Sequence, residues 1–147
     1  MLKGILSLEC GNVKYTNPAA VIESIKVSDL KGNEFYSPLP GLIDTGCDRS
    51  AVPLDICTSL RLPLYRKILL AGFDSKVDLY PTYLVYLKVE DMNDVPFEVC
   101  GVKRKNVLLG RDFLKNMLLV VSSKTSAYAI SENSRWKTLC LKLIRAL

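Results

Sequence analysis

The chain has 147 residues, 49% of them hydrophobic and 24% charged, which is the composition of one folded domain rather than of a disordered or fibrous chain. It contains no histidine, so a Ser-His-Asp hydrolase, a Cys-His protease, an H-E-x-x-H metalloprotease and a zinc site with histidine ligands are excluded within a single chain. The net charge of +5 is uneven, because residues 1–100 carry 10 basic and 13 acidic side chains (net −3) and residues 101–147 carry 10 and 2 (net +8).

The cysteines predict reduced thiols rather than cross-links or a metal cluster. Their number is odd and none falls in a C-x-x-C spacing, so neither a disulfide framework nor a zinc site is indicated. The five are Cys10, Cys47, Cys57, Cys100 and Cys140. Apolar runs such as residues 4–8 and 117–121 are too short for a signal-peptide core or a membrane span. We therefore expect a soluble, cytoplasmic protein.

Short apolar or alternating stretches, separated by turn residues, predict an all-β domain. The segment 83–89 is apolar at most positions on both faces, so we expect it to be covered on both sides, at least in part. In chain order, the predicted strands are residues 3–8, 21–27, 41–44, 65–70, 83–89, 97–102, 107–109, 118–121 and 127–130.

Helical signals are few, and the strongest lies at the C-terminal end. Residues 54–60 follow Pro53, which a first helical turn tolerates, and residues 111–116 form one or two turns at most. In the segment 131–147, apolar residues recur at helical spacing, which predicts an amphipathic helix that packs on the core or dimerises. Without repeats or linkers, residues 1–147 are predicted to form one domain, with 1–40 as an N-terminal extension with strands.

A D-T-G tripeptide, residues 44–46, begins at the last residue of the predicted core strand 41–44. Asp44 comes directly after two apolar residues, at the end of the strand, where desolvation disfavours the charged form of a carboxylate. The Thr45 hydroxyl can tie the loop to a neighbouring backbone, and Gly46 permits a close approach. D-T-G is also an ordinary turn sequence. Whether D-T-G indicates a functional site therefore depends on a second segment, residues 106–114. In this segment a predicted buried strand ends at a glycine and is followed by a short helix.

Together the two segments resemble the retropepsin-like aspartic proteases, the single-domain relatives of retroviral protease, over about residues 42–130. In that family an apolar pair precedes D-T-G, and a later apolar-apolar-Gly segment packs against it. The corresponding segments are Leu42-Ile43-Asp44-Thr45-Gly46 and Leu108-Leu109-Gly110. Retroviral members also carry an Asp and an Arg that pair near the subunit boundary, and Asp48 and Arg111 stand at those positions. The resemblance implies an all-β acid protease barrel with a short internal helix and the C-terminal helix.

The resemblance also implies an aspartic endopeptidase that acts on polypeptides without a cofactor or metal. Two aspartates share one proton, so that one carboxylate activates a water and the other polarises the scissile carbonyl. Because D-T-G occurs once, the pair requires a homodimer with one Asp44 from each protomer. The alternative is an inactive module of the same fold that serves dimerisation or peptide binding.

By resemblance, residues 70–76 correspond to the flap, a hairpin that closes over the extended substrate. Retroviral flaps are glycine-rich, whereas this segment holds a single glycine, so a plain surface hairpin is the alternative. The roles carried over are catalysis for Asp44, Thr45 and Gly46, flap or substrate contacts for Gly72, Phe73, Asp74 and Asp48, and structure or dimer contacts for Leu109, Gly110 and Arg111.

Two further features have competing interpretations. Cys47 stands where the family usually has Ala or Ser, and is either a small apolar side chain or a redox-sensitive thiol beside the carboxylate. The run Lys103-Arg104-Lys105 is either a nucleic-acid contact or a solvated loop, and no recognition-helix or aromatic RNA-binding signature accompanies it. We therefore expect a polypeptide substrate and a second copy of the chain as partners, and neither a membrane nor a nucleic acid.

Overall fold

The computed structural model describes residues 21–33, 39–72, 75–89, 92, 95–122 and 127–132. Within these residues the chain forms nine strands and two short helices. The strands are β1 (Val21–Ser28), β2 (Leu39–Ile43), β3 (Ala51–Pro53), β4 (Arg66–Ala71), β5 (Val77–Val89), β6 (Val95–Val102), β7 (Val107–Leu109), β8 (Met117–Ser122) and β9 (Ala127–Glu132). The helices are α1 (Leu54–Ser59) and α2 (Arg111–Leu114).

Seven of the strands form one mixed sheet that closes on itself. The strand order is β1-β2-β7-β3-β6-β5-β4, and β1 also pairs with β5, so that the first six strands of this order form a ring. β4 extends outside the ring as one arm of a hairpin with β5, and β8 and β9 form a separate antiparallel pair. Closure leaves few unpaired strand edges. The predicted all-β barrel is confirmed.

The interior of the ring is almost entirely aliphatic. Its fully buried side chains alternate along the strands, as expected where one face of each strand is turned inward. Phe97 and Phe113 meet edge to face with ring centroids 5.6 Å apart, which fixes α2 against β6. Apart from Thr82, the largest fully buried side chains are aliphatic: Ile22, Ile25, Val27, Val52, Ile56, Val85, Leu87, Val89, Val99, Val107 and Leu109.

Most predicted elements lie where the sequence placed them, with three differences in the described residues. β3 was not predicted as a strand, although its three residues are all buried. β5 begins at Val77, six residues before the predicted start. β9 continues to Glu132 because Met117 and Leu118 pair with its last two residues, so the segment assigned to the C-terminal helix begins as strand. The predicted strand at 3–8 and residues 133–147 lie outside the described residues.

The predicted coverage of residues 83–89 is confirmed. Val85, Leu87 and Val89 are fully buried, and Leu84 and Tyr86 on the opposite face are half-buried. Of the helices in the described part of the chain, none has the length and apolar character that crossing a membrane requires.

Candidate active site

The candidate catalytic carboxylate lies where two parallel strands of the barrel end. β2 and β7 run parallel, with Ile43 opposite Leu109. The next residue, Asp44, donates its backbone N–H to the carbonyl of Leu109 at 3.0 Å, and the chain then leaves the sheet. Leu109 itself is fully buried, so it supports the site through its backbone and through the core. The half-buried Asp44 side chain therefore starts from a rigid position.

The D-T-G loop holds this carboxylate in one orientation. The backbone N–H of Gly46 donates to Oδ1 of Asp44 at 2.9 Å, and the N–H of Cys47 donates to the Asp44 carbonyl at 3.4 Å. A Cβ at position 46 would lie 3.2 Å from the same Oδ1, so glycine permits the close approach that the sequence predicted. Thr45 is exposed, and within the described residues its hydroxyl does not make the predicted tie to a neighbouring backbone.

The start of α2 is docked on the far side of this loop. The backbone N–H groups of Arg111 and Asp112 donate to the carbonyls of Cys47 and Asp48 at 2.8 and 3.2 Å. The first N–H groups of a helix have no partner within the helix, and here the loop carbonyls satisfy two of them. The two motif segments, more than sixty residues apart in sequence, therefore form one structural unit, as predicted.

A buried serine joins the two segments, and its role was not predicted from the sequence. Ser50, which is fully buried, donates its hydroxyl to Oδ1 of Asp112 at 2.7 Å and accepts the N–H of Gly110 at 2.9 Å. Its backbone N–H also donates to both carboxylate oxygens, at 2.9 and 3.1 Å. The Asp112 carboxylate additionally accepts the N–H of Phe113 at 2.8 Å. In the sequence, Ser50 stands out only as a polar residue directly before the apolar run that begins at Ala51.

Asp48 and Arg111 form an ion pair, as expected from their positions in the two motifs. The guanidinium Nη2 of Arg111 donates to Oδ1 of Asp48. Both side chains are largely exposed in the protomer, at 72% for Asp48 and 62% for Arg111. An exposed pair of this kind contributes little to the stability of a single chain, typically about 0–1 kcal/mol.

The predicted flap segment lies at the turn of the β4–β5 hairpin. The N–H of Gly72 donates to the carbonyl of Lys76 at 2.8 Å, and the N–H of Ser75 donates back to Gly72 at 3.0 Å. Phe73 and Asp74 lie outside the described residues. Below the turn, one face of the hairpin exposes apolar side chains, those of Leu69, Val77 and Leu79. The hairpin is confirmed, and its role as a flap stays a prediction.

The thiols in the described residues differ in their surroundings. Burial raises the pKa of Cys57 to about 12 and also raises the pKa of Cys100, so both behave as small apolar side chains. Cys47 is half-buried in the D-T-G loop, where its Sγ donates to the Arg49 carbonyl at 3.2 Å. No disulfide and no cluster of side chains fit to hold a metal ion occurs in the part of the chain that the structure describes.

A carboxylate on β6 ties the hairpin to the D-T-G loop, and the sequence did not predict it. Glu98 accepts two hydrogen bonds from Arg66 of β4, at 2.7 and 2.6 Å, and lies 2.9 Å from Arg49. These contacts lower the pKa of Glu98 from 4.5 to about 2, and the hydrogen bonds from Arg66 are the largest cause. Burial acts in the opposite direction, whereas the contacts with Thr82 and Arg49 lower the pKa further. Glu98 therefore stays ionised in acid.

The low pKa of Glu98 predicts that the folded protein loses stability in acid. The pKa of Glu98 is lower in the folded chain than in the unfolded chain. The contribution of Glu98 to the free energy of unfolding is therefore complete above the unfolded pKa of 4.5 and is lost as the pH falls toward 2. We expect Glu98→Gln to lower the midpoint of thermal unfolding at pH 7 by about 3 °C or more and to flatten the decline below pH 4.5. Asp78→Asn, which removes an exposed carboxylate from the neighbouring strand, is the control. Equal pH profiles for both variants would rule out this role.

No protein-family model matches the sequence, and no curated protein matches it. Among solved structures, the EIAV protease complexed with the inhibitor HBY-793 is 20% identical and matches with a TM-score of 0.51 over 71% of this chain and 89% of that chain. The foamy viral protease-reverse transcriptase is 18% identical, with a TM-score of 0.49 over 67% of this chain and 12% of that chain. The simian foamy virus (mac) protease is 17% identical, with a TM-score of 0.44 over 63% and 91%. With its closed barrel and its D-T-G loop docked on α2, the chain has the retropepsin-like fold of the retroviral proteases.

Proposed function

We propose that the chain is an aspartic endopeptidase that acts as a homodimer. The observation that carries the proposal is the Asp44 carboxylate, held by the Gly46 N–H at the ends of two parallel strands of a retropepsin-like barrel. The hydrogen bonds from α2 to the loop support the same conclusion, because a catalytic side chain needs a rigid frame.

The chemistry of the proposed enzyme needs no group beyond two carboxylates and a water. In the proposed dimer, two Asp44 side chains, one from each protomer, lie close together. Because both carboxyls cannot ionise at short distance, they share one proton. The ionised carboxylate takes a proton from the water, and the oxygen of this water attacks the scissile carbonyl carbon. The protonated carboxyl donates its proton to the carbonyl oxygen, which gives a tetrahedral intermediate with two hydroxyl groups. When the C–N bond breaks, the carboxyl that took the proton of the water passes it to the leaving amine, and one hydroxyl returns its proton to the other carboxylate.

The dimer is required because D-T-G occurs once in the sequence. Exposed residues of the protomer lie in the D-T-G loop and at the start of α2, which is hydrogen-bonded to this loop: Thr45, Gly46, Asp48 and Arg111. If a second copy completes the site, the residues around the catalytic group are exposed in a single protomer and become covered in the dimer. The exposed apolar face of the β4–β5 hairpin supports binding of an extended peptide beside it.

Incubation with an unstructured protein between about pH 3 and pH 7 tests this function. We expect cleavage products, inhibition by a transition-state mimic of the pepstatin type, and a specific activity that falls on dilution as the dimer dissociates. Specific activity that is independent of protein concentration, in a protein that sediments as a monomer, contradicts the shared site. Absence of cleavage at every pH supports the alternative, an inactive dimerisation or peptide-binding module.

A further inference from the structure

Arg104 differs from its neighbours in the basic turn between β6 and β7. The turn comprises residues 103–106, and its N–H at position 104 donates to the Val102 carbonyl at 3.0 Å. Lys103 and Lys105 are exposed, whereas Arg104 is half-buried. Both strands that flank the turn pair with β3, the strand that follows the D-T-G loop. The basic run is therefore not a uniformly solvated loop, because its central side chain is half-buried.

The Arg104 side chain is positioned without a carboxylate partner. Its Nε–H donates to Oδ1 of Asn106 at 2.9 Å, which orients the guanidinium plane. In the described residues Arg104 has no ion pair, although Arg49, Arg66 and Arg111 each have at least one. A guanidinium carries five N–H donors in a fixed plane that fits a carboxylate, and it is charged at every accessible pH. A partly buried cation of this kind favours an anionic ligand.

The turn lies beside the D-T-G loop. Val102, at the base of the turn, and Cys47, in the loop, pack against the same apolar cluster, which consists of Ala51, Cys100 and Leu108. Burial lowers the pKa of Arg104, and electrostatic interaction with the loop residues Cys47 and Asp44 opposes this effect. The dyad of a homodimer holds one shared proton and one negative charge, whereas the two protomers bring two Arg104 side chains. The two Arg104 side chains therefore carry more positive charge than the singly protonated dyad carries negative charge.

We propose that Arg104 is a specificity-determining residue, which binds the carboxylate of an Asp or Glu side chain of the substrate close to the scissile bond. The inference rests on the proposed function and names its substrate class, polypeptides with an acidic residue beside the cut bond. The two neighbouring lysines add a general attraction for acidic polypeptides, but only the oriented guanidinium discriminates between an acid and its amide.

The test is a cleavage-site survey with a mixed peptide library, in which mass spectrometry identifies each bond that the enzyme cuts. For the wild type we expect Asp and Glu to be enriched within about two residues of that bond. Arg104→Gln is expected to lose the enrichment and to lower the ratio of kcat/KM between a Glu peptide and its Gln counterpart about tenfold or more. Arg104→Lys keeps the charge without the planar fork and is expected to restore part of the preference.

Lys105→Gln is the matched control, because it removes one positive charge from the same turn at an exposed side chain. It is expected to retain the preference for acidic residues. Equal losses in Lys105→Gln and Arg104→Gln, or a wild-type enzyme without acidic enrichment, overturn the inference and leave the proposed endopeptidase intact. Thermal unfolding verifies that each variant is folded.

Failure of the proposed function produces a different result, in which the wild type cuts no peptide of the library. The library is then passed over immobilised Asp44→Asn protein, with and without Arg104→Gln, and the retained peptides are identified. Retention of acidic peptides that depends on Arg104 supports the inference for a binding module. Retention that is independent of Arg104 overturns it.

Discussion

Asp44→Asn is expected to abolish peptide hydrolysis while the barrel remains folded. The substitution removes both carboxylates of the dimer at once, so no group remains to take the proton of the water, and the rate is expected to fall at least about 10³-fold. The fold is expected to survive because an asparagine oxygen can still accept the Gly46 N–H that now reaches Asp44 at 2.9 Å. Cleavage of an unstructured protein measures the first effect, and thermal unfolding the second.

The same variant tests whether two copies share one site. After subunit exchange in an equal mixture of wild type and Asp44→Asn, a quarter of the dimers are wild type on both sides, so activity per wild-type protomer is expected to fall to about half. An equal mass of an unrelated inert protein is the control for dilution and crowding. Unchanged activity in the mixture contradicts the shared dyad, and full activity of the variant alone contradicts any catalytic role for Asp44.

The part of the site that sequence analysis predicted is the part that consecutive residues encode. An apolar strand, a D-T-G turn and a second apolar strand ending in glycine predict where Asp44 lies. The structure confirms that the two segments pack against each other, and it places Ile43 opposite Leu109. The pattern is clearest for β7, whose three residues are all buried, because a strand buried on both faces is apolar without interruption. The fold class follows from the same local signals, since turn residues separate the short strands throughout.

The contacts that the sequence did not reveal join residues distant along the chain. Ser50 and Asp112 are 62 residues apart, and Arg66 and Glu98 are 32 apart, so no local periodicity connects them. β3 has only three residues, too few for alternation to distinguish a strand from the start of α1. The early half of β5 contains Pro81, which argues against a strand interior, and it is tolerated here opposite the outlying strand β4.

Arg104 shows the same limit for a charged side chain. Sequence alone places it in a run of three basic residues, where all three have the same expected exposure. Only the turn geometry separates it, because Arg104 is half-buried while both adjacent lysines are exposed. Composition therefore predicts the positive charge of the region, and the fold determines which of the three side chains is partly buried.

Gly110→Ala is expected to be the most destabilising single-methyl change in the site. A Cβ at this position would lie 2.7 Å from the carbonyl carbon of Arg49, 2.8 Å from its oxygen and 3.0 Å from the Cys47 oxygen. These are backbone atoms of the D-T-G loop, and they cannot move aside by a rotamer change. The conformation itself is one that alanine adopts freely, with φ at −85°, so the cost comes from crowding alone.

Relief of the crowding requires the loop and α2 to separate, which breaks the hydrogen bond from the Gly110 N–H to Ser50. We expect a loss of about 2–5 kcal/mol in the free energy of unfolding, measured by urea titration, and loss of peptide cleavage wherever the protein stays folded. Gly32→Ala is the control, because its Cβ would meet nothing within 4 Å and its cost, about 1 kcal/mol, comes from a φ of +89°. If the two variants lose equal stability, crowding against the D-T-G loop does not explain the glycine, and the close docking of the two motif segments has to be rejected.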